Sequence, residues 1–418
     1  MAPHRICIIT PGHLATNPRV VKEADALAEA GHAVSVITGD FVAWARDADR
    51  EFAARPWHVE RRLTFGPLAA KPARIAQILR QRSARFLFRM GLSQSHARRA
   101  AWHPIGLDLI LEAKKVKADL YIAHYVAALP AAALAATYHG ALYAFDAEDF
   151  HLGDLPEEPE HAFTKNLIRS VEEYWLAGCA YVSAASPGIA KAYAAAYGVP
   201  EPVVLLNVFP LSHAPAKATF AGSVRPGPSL YWFSQTIGPD RGLQCAIRAI
   251  ALAVSKPHLY LRGTLAAGCE RQLKQLADQA GVADRLHFLP PALPSQMEEL
   301  AAQFDLGLSG ETRHTLNKEV ALGNKLFSYL LAGIPVVMSD TPAHCGLAPE
   351  LGEAARLYPE DDSRSLAAVF DGFLCDPQAL ARARVAAFNL GQQRFNWTME
   401  KVKLLGLVNR VLSERKAA

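Results

Sequence analysis

At 418 residues the chain is long enough for two domains of ordinary size, and with 51% hydrophobic and 20% charged residues it can build substantial cores. Its 44 basic and 40 acidic side chains leave a formal charge of +4, too small to point to nucleic acid as a partner. The six cysteines (Cys7, Cys179, Cys245, Cys269, Cys345 and Cys375) fall at no metal-ligand spacing, which suits reduced and mostly buried thiols. The opening MAPHRICIITPGH lacks the apolar centre of a signal peptide. No uncharged apolar run approaches the length of a membrane span. These features predict a cytoplasmic protein that meets a membrane, if it does, from its inner face.

Along the chain, short apolar runs alternate with helical stretches. RICIIT (Arg5 to Thr10) reads as a buried strand. NPRVVKEADALAEAG follows as a helix, with Asn17 as N-cap, Pro18 in the first turn and Gly31 at the end. AVSVIT (Ala33 to Thr38) is the next strand, so a right-handed βαβ unit and a parallel sheet are predicted. Further strands are expected at Asp119 to His124, Leu142 to Asp146, Ala180 to Ala184 and Val203 to Asn207. Residues 212–229, SHAPAKATFAGSVRPGPS, have the Pro, Ala, Gly and Ser content of a linker. A second set then runs through Leu230 to Ser234, Leu259 to Gly263, Leu286 to Pro290, Asp305 to Ser309 and Pro335 to Ser339, with helices between. A last helix after Asn396 contains Trp397, Val402, Leu405 and Val408.

Several segments carry a family likeness. NKLFSYLLAGIPVVMSD (Asn324 to Asp340) resembles the C-terminal signature of retaining glycosyltransferases of the GT-B fold, group 1 or family 4. LHFLPPALPSQMEELAAQFDLGLS resembles the stretch before that signature, and IGPDRGLQCAIRAI the Lys-Gly turn, with Arg241-Gly242 in its place. GHLATNPRVVKEADALAEAGHAVSVIT, SPGIAKAYAAAYGV with VVLLN, and FNWTMEKV resemble the family's start, the end of its first domain and its closing helix. The resemblance implies an α/β fold of two Rossmann-like domains with parallel sheets facing across a cleft. Residues 1–211 would hold the acceptor, 212–229 would link, 230–395 would bind the nucleotide sugar, and the helix in 396–418 would return to the first domain. Rotation about the linker would close the cleft and exclude water.

Transfer of a sugar from a nucleoside diphosphate builds negative charge on the departing diphosphate, so cations and helix N-termini are the expected tools. By resemblance Arg241 grips the diphosphate; it follows a Gly-Pro-Asp turn and is expected to open a helix. Lys325, after Gly323-Asn324 at another helix start, is the second candidate, with Asn324 as a cap. The family's second glutamate stands five residues before the glycine of its G-x-P-V turn; here that glycine is Gly333 and the position is Ser328, a weaker acceptor for a ribose. A literal E-x7-E, Glu311 to Glu319, lies out of register with that turn, but Glu311 follows a strand, where a ligand-binding residue belongs. Ser234-Gln235 replaces the family's Gly-Arg and removes a cation. Gly12, Gly263 and Leu326 complete the expected donor-binding set, Gly12 because a glycine lets backbone approach a ligand. His124, ending its strand, and Asp146, in FDAED where the family has D-x-H-E, are catalytic candidates with Arg241 and Lys325, and Glu148 and Asp149 lie beside them.

Lys71, Arg74, Arg80, Arg82, Arg85, Arg89, Arg98 and Arg99 occur in residues 71–99 without an acid, interleaved with Ile75, Ile78, Leu79, Phe86, Leu87, Phe88 and Met90. This is either a basic amphipathic element for an anionic membrane or a solvated helix packing its apolar side inward. The resemblance thus implies an enzyme using a UDP- or GDP-sugar, with a saccharide or lipid-linked acceptor, no cofactor and no metal, in bacterial surface-polysaccharide or glycolipid synthesis. Two other readings stay open: a binding or scaffold protein that has lost catalysis, given Ser328 and Ser234-Gln235, and a sugar-nucleotide epimerase of the same architecture.

Overall fold

The computed structural model describes residues 3–215, 226–239 and 241–417. The chain divides into two compact units, Met1–Leu205 with Lys401–Ala418, and Leu206–Glu400. The first holds seven strands: β1 (Arg5–Ile9), β2 (Ala33–Asp40), β3 (His58–Thr64), β4 (Leu120–His124), β5 (Leu142–Ala147), β6 (Val182–Ala184) and β7 (Val203–Val204). They form one sheet in the order β3-β2-β1-β4-β5-β6-β7, every neighbouring pair parallel. Parallel strands need crossover helices, and those helices cover both faces of the sheet, which is why β4 is buried at all five residues. The first crossover, helix Pro18–Glu29, starts as its sequence predicts: the Asn17 side chain accepts from the Val20 N–H at 3.2 Å and Pro18 sits in the first turn.

The second unit holds β8 (Ser229–Ile237), β9 (His258–Leu265), β10 (Leu286–Leu289), β11 (Leu306–Ser309), β12 (Val336–Ser339) and β13 (Ala355–Tyr358), in the order β10-β9-β8-β11-β12-β13. This sheet is also wholly parallel. Trp232, Leu230, Leu259 and Leu308 from its strands pack with Ile247, Ile250 and Phe370 from covering helices. Both sheets follow the doubly wound order of a Rossmann fold, the first with one strand added. Each therefore has a point where successive connections leave in opposite directions: between β1 and β4 in the first, between β8 and β11 in the second.

Two strands, β3 and β13, were not among the expected elements, and both lie at sheet edges. The strand expected at Val203 to Asn207 shortens to β7, and β8 runs past Ser234 to Ile237 through an irregular register between Phe233 and Thr236. Of the linker candidate, residues 216–225 lie outside the described residues; His213 closes a single helical turn, Leu211–His213, and β8 begins at Ser229. The closing helix, Trp397–Ala417, starts in the second unit and continues from Lys401 in the first. There Lys401 pairs with Glu29 at 3.1 Å and the Arg415 guanidinium donates to the Asp119 carbonyl at 3.1 Å. Among the described residues no helix is long and apolar enough to cross a membrane.

Candidate functional site

In doubly wound sheets, ligands bind beyond the strand C-termini at the point where the connections diverge. In the second unit that point lies beyond β8 and β11. The turn after β8 ends at Gly242 with φ +68°, and a Cβ there would stand 2.4 Å from the Gly310 carbonyl oxygen. Only glycine both adopts this backbone without strain and permits that approach. Gly310, directly after β11, is crowded in turn by the Tyr358 hydroxyl, 2.7 Å from where its Cβ would be. The turns after β8, β11 and β13 are thereby held against one another, with Arg241 and Glu311 beside the two glycines.

Glu311 is buried, and its carboxylate meets Lys325 Nζ at 3.3 Å and Lys318 Nζ at 3.6 Å. Burial alone pushes this carboxyl up. The positive charges of Lys325, then Lys318, His344 and Arg241 outweigh burial and hold it down at about 2. The Lys325 ammonium also lies 5.4 Å from the centre of the Trp232 ring. The main chain is fixed as well, with the Glu311 carbonyl accepting from the Ser339 hydroxyl at 2.7 Å. Lys325 belongs to the first turn of helix Asn324–Ala332, whose N-cap, Gly323, offers no side-chain cap. A Cβ on Gly323 would come 3.4 Å from Glu311 Oε1. The carboxylate therefore sits over the start of the helix, where backbone N–H groups and the macrodipole favour an anion. A cavity of about 320 Å³ is lined by Glu311 together with Gln244, Arg248, Thr312, Tyr358 and Glu360.

The structure brings Arg241, Glu311 and Lys325 together and corrects several other expectations. Arg241 does not open a helix; the helix is Leu243–Leu252 and its N-cap is Gly242, while Asp240 of the Gly-Pro-Asp turn lies outside the described residues. Asn324 is exposed and does not cap. Leu326 is fully buried core, and its N–H bonds the Gly323 carbonyl at 3.2 Å. Ser328 is fully buried too and donates to Glu298 at 2.7 Å, so its hydroxyl is spent inside the unit. Ser234-Gln235 lies within β8, in its irregular stretch, and not beyond it. Gly263, with φ +148°, is required by the chain itself, because a Cβ would stand 2.2 Å from the Ser234 carbonyl oxygen. Lys318 and His344 were missed. Neither belongs to a motif, and each reaches Glu311 only through the fold.

In the first unit the expected His124 and Asp146 are wholly buried. Asp146 receives a two-point grip from Arg19, with Nη2 to Oδ1 at 2.7 Å and the Nε–H on Oδ2, and accepts from Ser183 at 2.5 Å. Arg19 reaches the Leu205 carbonyl as well, at 2.7 Å. Burial pushes Asp146 up, but the Arg19 charge and hydrogen bonds outweigh it and lower its pKa. His124 Nδ1 is 3.0 Å from Glu148 and Nε2 3.2 Å from Glu23. Burial disfavours its charged form, yet Glu23, Glu148 and Asp146 raise it to about 10. With the ring wholly buried and both nitrogens already engaged by carboxylates, His124 offers no nitrogen to a substrate. His124 and Asp146 are thus corrected from catalytic candidates to a buried ionic network that ties helix Pro18–Glu29 to β4 and β5. Glu23, His124 and Asp146 are close enough together to hold a metal ion, but the Arg19 guanidinium already supplies the cation they face. Gly12 also spends its backbone internally: its N–H bonds the Thr10 hydroxyl at 3.1 Å and its carbonyl accepts from Thr38 at 2.5 Å. A Cβ there would make ordinary contact, 3.5 Å from Thr10 Oγ1.

Residues 227–376 match the family model described as "Glycosyl transferases group 1". Among solved structures, HepE of Anabaena in complex with UDP-glucose is similar over 97% of this chain and 100% of its own, at 17% identity and a TM-score of 0.68. Sucrose-phosphate synthase of Thermosynechococcus elongatus is similar over 98% and 100%, at 15% identity and a TM-score of 0.71. A glycosyltransferase of Rickettsia africae is similar over 99% of each chain, at 12% identity and a TM-score of 0.65. No curated protein matches at a significant level. Residues 227–376 thus match the group 1 glycosyl transferase model, within a chain that shares the two-sheet fold of these solved structures.

Proposed function

We propose that the protein transfers a sugar, with retention of anomeric configuration, from a UDP- or GDP-sugar to a saccharide or lipid-linked acceptor, in bacterial surface-polysaccharide or glycolipid synthesis at the inner face of a membrane. The observation that carries this reading is the meeting of Glu311 with Lys325 and Lys318, with the Arg241 charge acting on the same carboxylate, at the point where the connections of the second sheet diverge and inside the segment that matches the group 1 model. Arg241, Lys318 and Lys325 supply the positive charge that a departing diphosphate needs, so the reaction requires no metal. The structures of HepE with UDP and UDP-glucose support a nucleotide-sugar donor.

Calorimetry with UDP and GDP, followed by donor turnover with saccharide and lipid-linked acceptors, tests the proposal. One diphosphate is expected to bind and its sugar to be transferred, with the product anomer read by NMR. Failure of every nucleoside diphosphate to bind overturns the reading. One observation favours a second reading, a binding protein without catalysis: the Ser328 hydroxyl is committed to Glu298. Binding without transfer to any of the acceptors would support it.

A further inference from the structure

Residues 71–99 form two helices, Lys71–Arg89 and Gln94–Ala100. Gly91 and Ser93 between them have left-handed backbone, with φ +68° and +48°. The longer helix buries one side through Gln77 and Ala84, the latter packed with Ala97, Ala100 and Leu167. Its opposite side is also apolar. Ile75, Leu79, Phe86 and Met90 follow one another four or seven residues apart, the spacing of a single helical stripe. They stand 47%, 60%, 62% and 59% exposed. A helix that needed only to pack on its own unit would carry charge there.

Arg99 is half-buried, and the other seven basic residues divide into two sets. Arg80 is paired with Asp108 at 2.6 Å, Arg85 and Arg89 stack on Phe163, and Arg98 bonds Ser170. Lys71, Arg74 and Arg82 are exposed along one flank of the apolar stripe. We propose that this stripe and its basic flank dock the protein on an anionic lipid surface, the apolar side chains entering the acyl boundary while Lys71, Arg74 and Arg82 meet the headgroups. A second copy of the chain fits the stripe poorly. A twofold contact would set arginine against arginine, and residues 71–99 hold no acid to relieve it. The helix is anchored where a lipid-linked ligand is needed: Gln77 donates to the Thr64 carbonyl at 3.1 Å, at the C-terminal end of β3. The loops after β1 and β4 leave from this same end of the parallel sheet.

The role of docking, presentation of a lipid-linked acceptor, rests on the proposed function, but its test uses no donor, so either can fail alone. The full chain is sedimented with vesicles of phosphatidylcholine alone and with vesicles of phosphatidylcholine and phosphatidylglycerol in equal amounts. Binding is expected to the mixed vesicles, to weaken with salt, and to fall about fivefold for each basic charge removed. Arg74→Glu with Arg82→Glu, and separately Leu79→Asn with Phe86→Asn, should abolish it while leaving thermal unfolding and nucleotide binding unchanged. Equal binding to neutral vesicles, or indifference to both variants, overturns the proposal. So does a dimer in sedimentation velocity that Leu79→Asn with Phe86→Asn dissolves, because the stripe would then belong to a second copy.

Discussion

Lys325→Met is the most informative perturbation of the candidate site. Glu311 is held at about 2 against an ordinary 4.5, and Lys325 is the largest of the charges that hold it there. At about 1.4 kcal/mol per pH unit that depression corresponds to about 3 kcal/mol of differential stability. Lys318, at 3.6 Å, remains in the variant, so a loss of about 2 kcal/mol at pH 7 is expected. A depressed carboxyl stabilises the fold above its unfolded pKa, and that contribution disappears as pH falls through the folded value. The gap between wild type and Lys325→Met should therefore be full at pH 7, begin to narrow below about pH 4 and close as pH falls to about 2. Scanning calorimetry of the full chain across this range measures it. Glu311→Gln added to Lys325→Met should recover part of the loss, because it removes the stranded charge. The same pair predicts ligand affinity with opposite signs. Lys325→Met should weaken UDP or GDP at least about tenfold, the worth of one charge-assisted hydrogen bond. Glu311→Gln should leave affinity unchanged or raise it, since the carboxylate sits over the helix start that a phosphate would use. If Glu311→Gln abolished nucleotide binding as Lys325→Met does, the reasoning would fail, because the carboxylate would then be contacting the ligand itself.

Arg241→Ala should weaken nucleoside diphosphates about tenfold or more while barely changing thermal unfolding, since it removes a cation without emptying a core position; equal affinities in calorimetry would exclude it from the phosphate site. Gly242→Ala should cost more than the about 1–2 kcal/mol of left-handed backbone, because its methyl would meet the Gly310 carbonyl. Gly268→Ala, with φ +79° and nothing within 4 Å, should cost only the backbone share, and the two midpoints in urea make the comparison. In the first unit, a histidine raised from 6.5 to about 10 stabilises fully below the lower value and loses its contribution as pH rises through the upper. The melting temperature should accordingly fall between pH 7 and 10 in the wild type, and His124→Gln should start lower and flatten that slope.

Periodicity and capping exposed most of the architecture because the buried strands are nearly continuous apolar runs. β4 and β12 are buried at every residue and read as such. The two unread strands are edges with mixed exposure. HVERRLT in β3 has three charged residues in seven, and ARLY in β13 is four residues long, so neither separates from a loop by composition. The basic stretch 71–99 was legible as an amphipathic element, but which of its charges are engaged was not. Asp108 and Phe163, which engage Arg80, Arg85 and Arg89, are distant in sequence. His124 and Asp146 show the same limit in the other direction. Their strand-end positions fit a catalytic pair, and only Arg19 and Glu23, on a helix more than a hundred residues earlier, mark them as a buried network.

Glu311 carries the argument furthest. Counted along the chain from Gly333, the carboxylate of the E-x7-E pattern is out of place and Ser328 stands where a ligand-binding acid is expected. Distance along the chain is a poor ruler at this point of the fold. Glu311 leaves the end of β11, and the chain then makes helix Leu316–Val320 before returning to Gly323, 3.4 Å from Glu311 Oε1 as measured to an added Cβ. That excursion places Lys318 and Lys325 on two sides of one carboxylate and brings the acid to the helix start without any residue at 328. Ser328, meanwhile, faces Glu298, so replacing it with glutamate would set two carboxylates together in a buried site. Ser328→Glu should therefore destabilise the second unit and leave nucleotide affinity no better than wild type. If Ser328→Glu folded normally and tightened UDP or GDP binding, position 328 would face the ligand after all, and the helix start beneath Glu311 would lose its standing as the phosphate site.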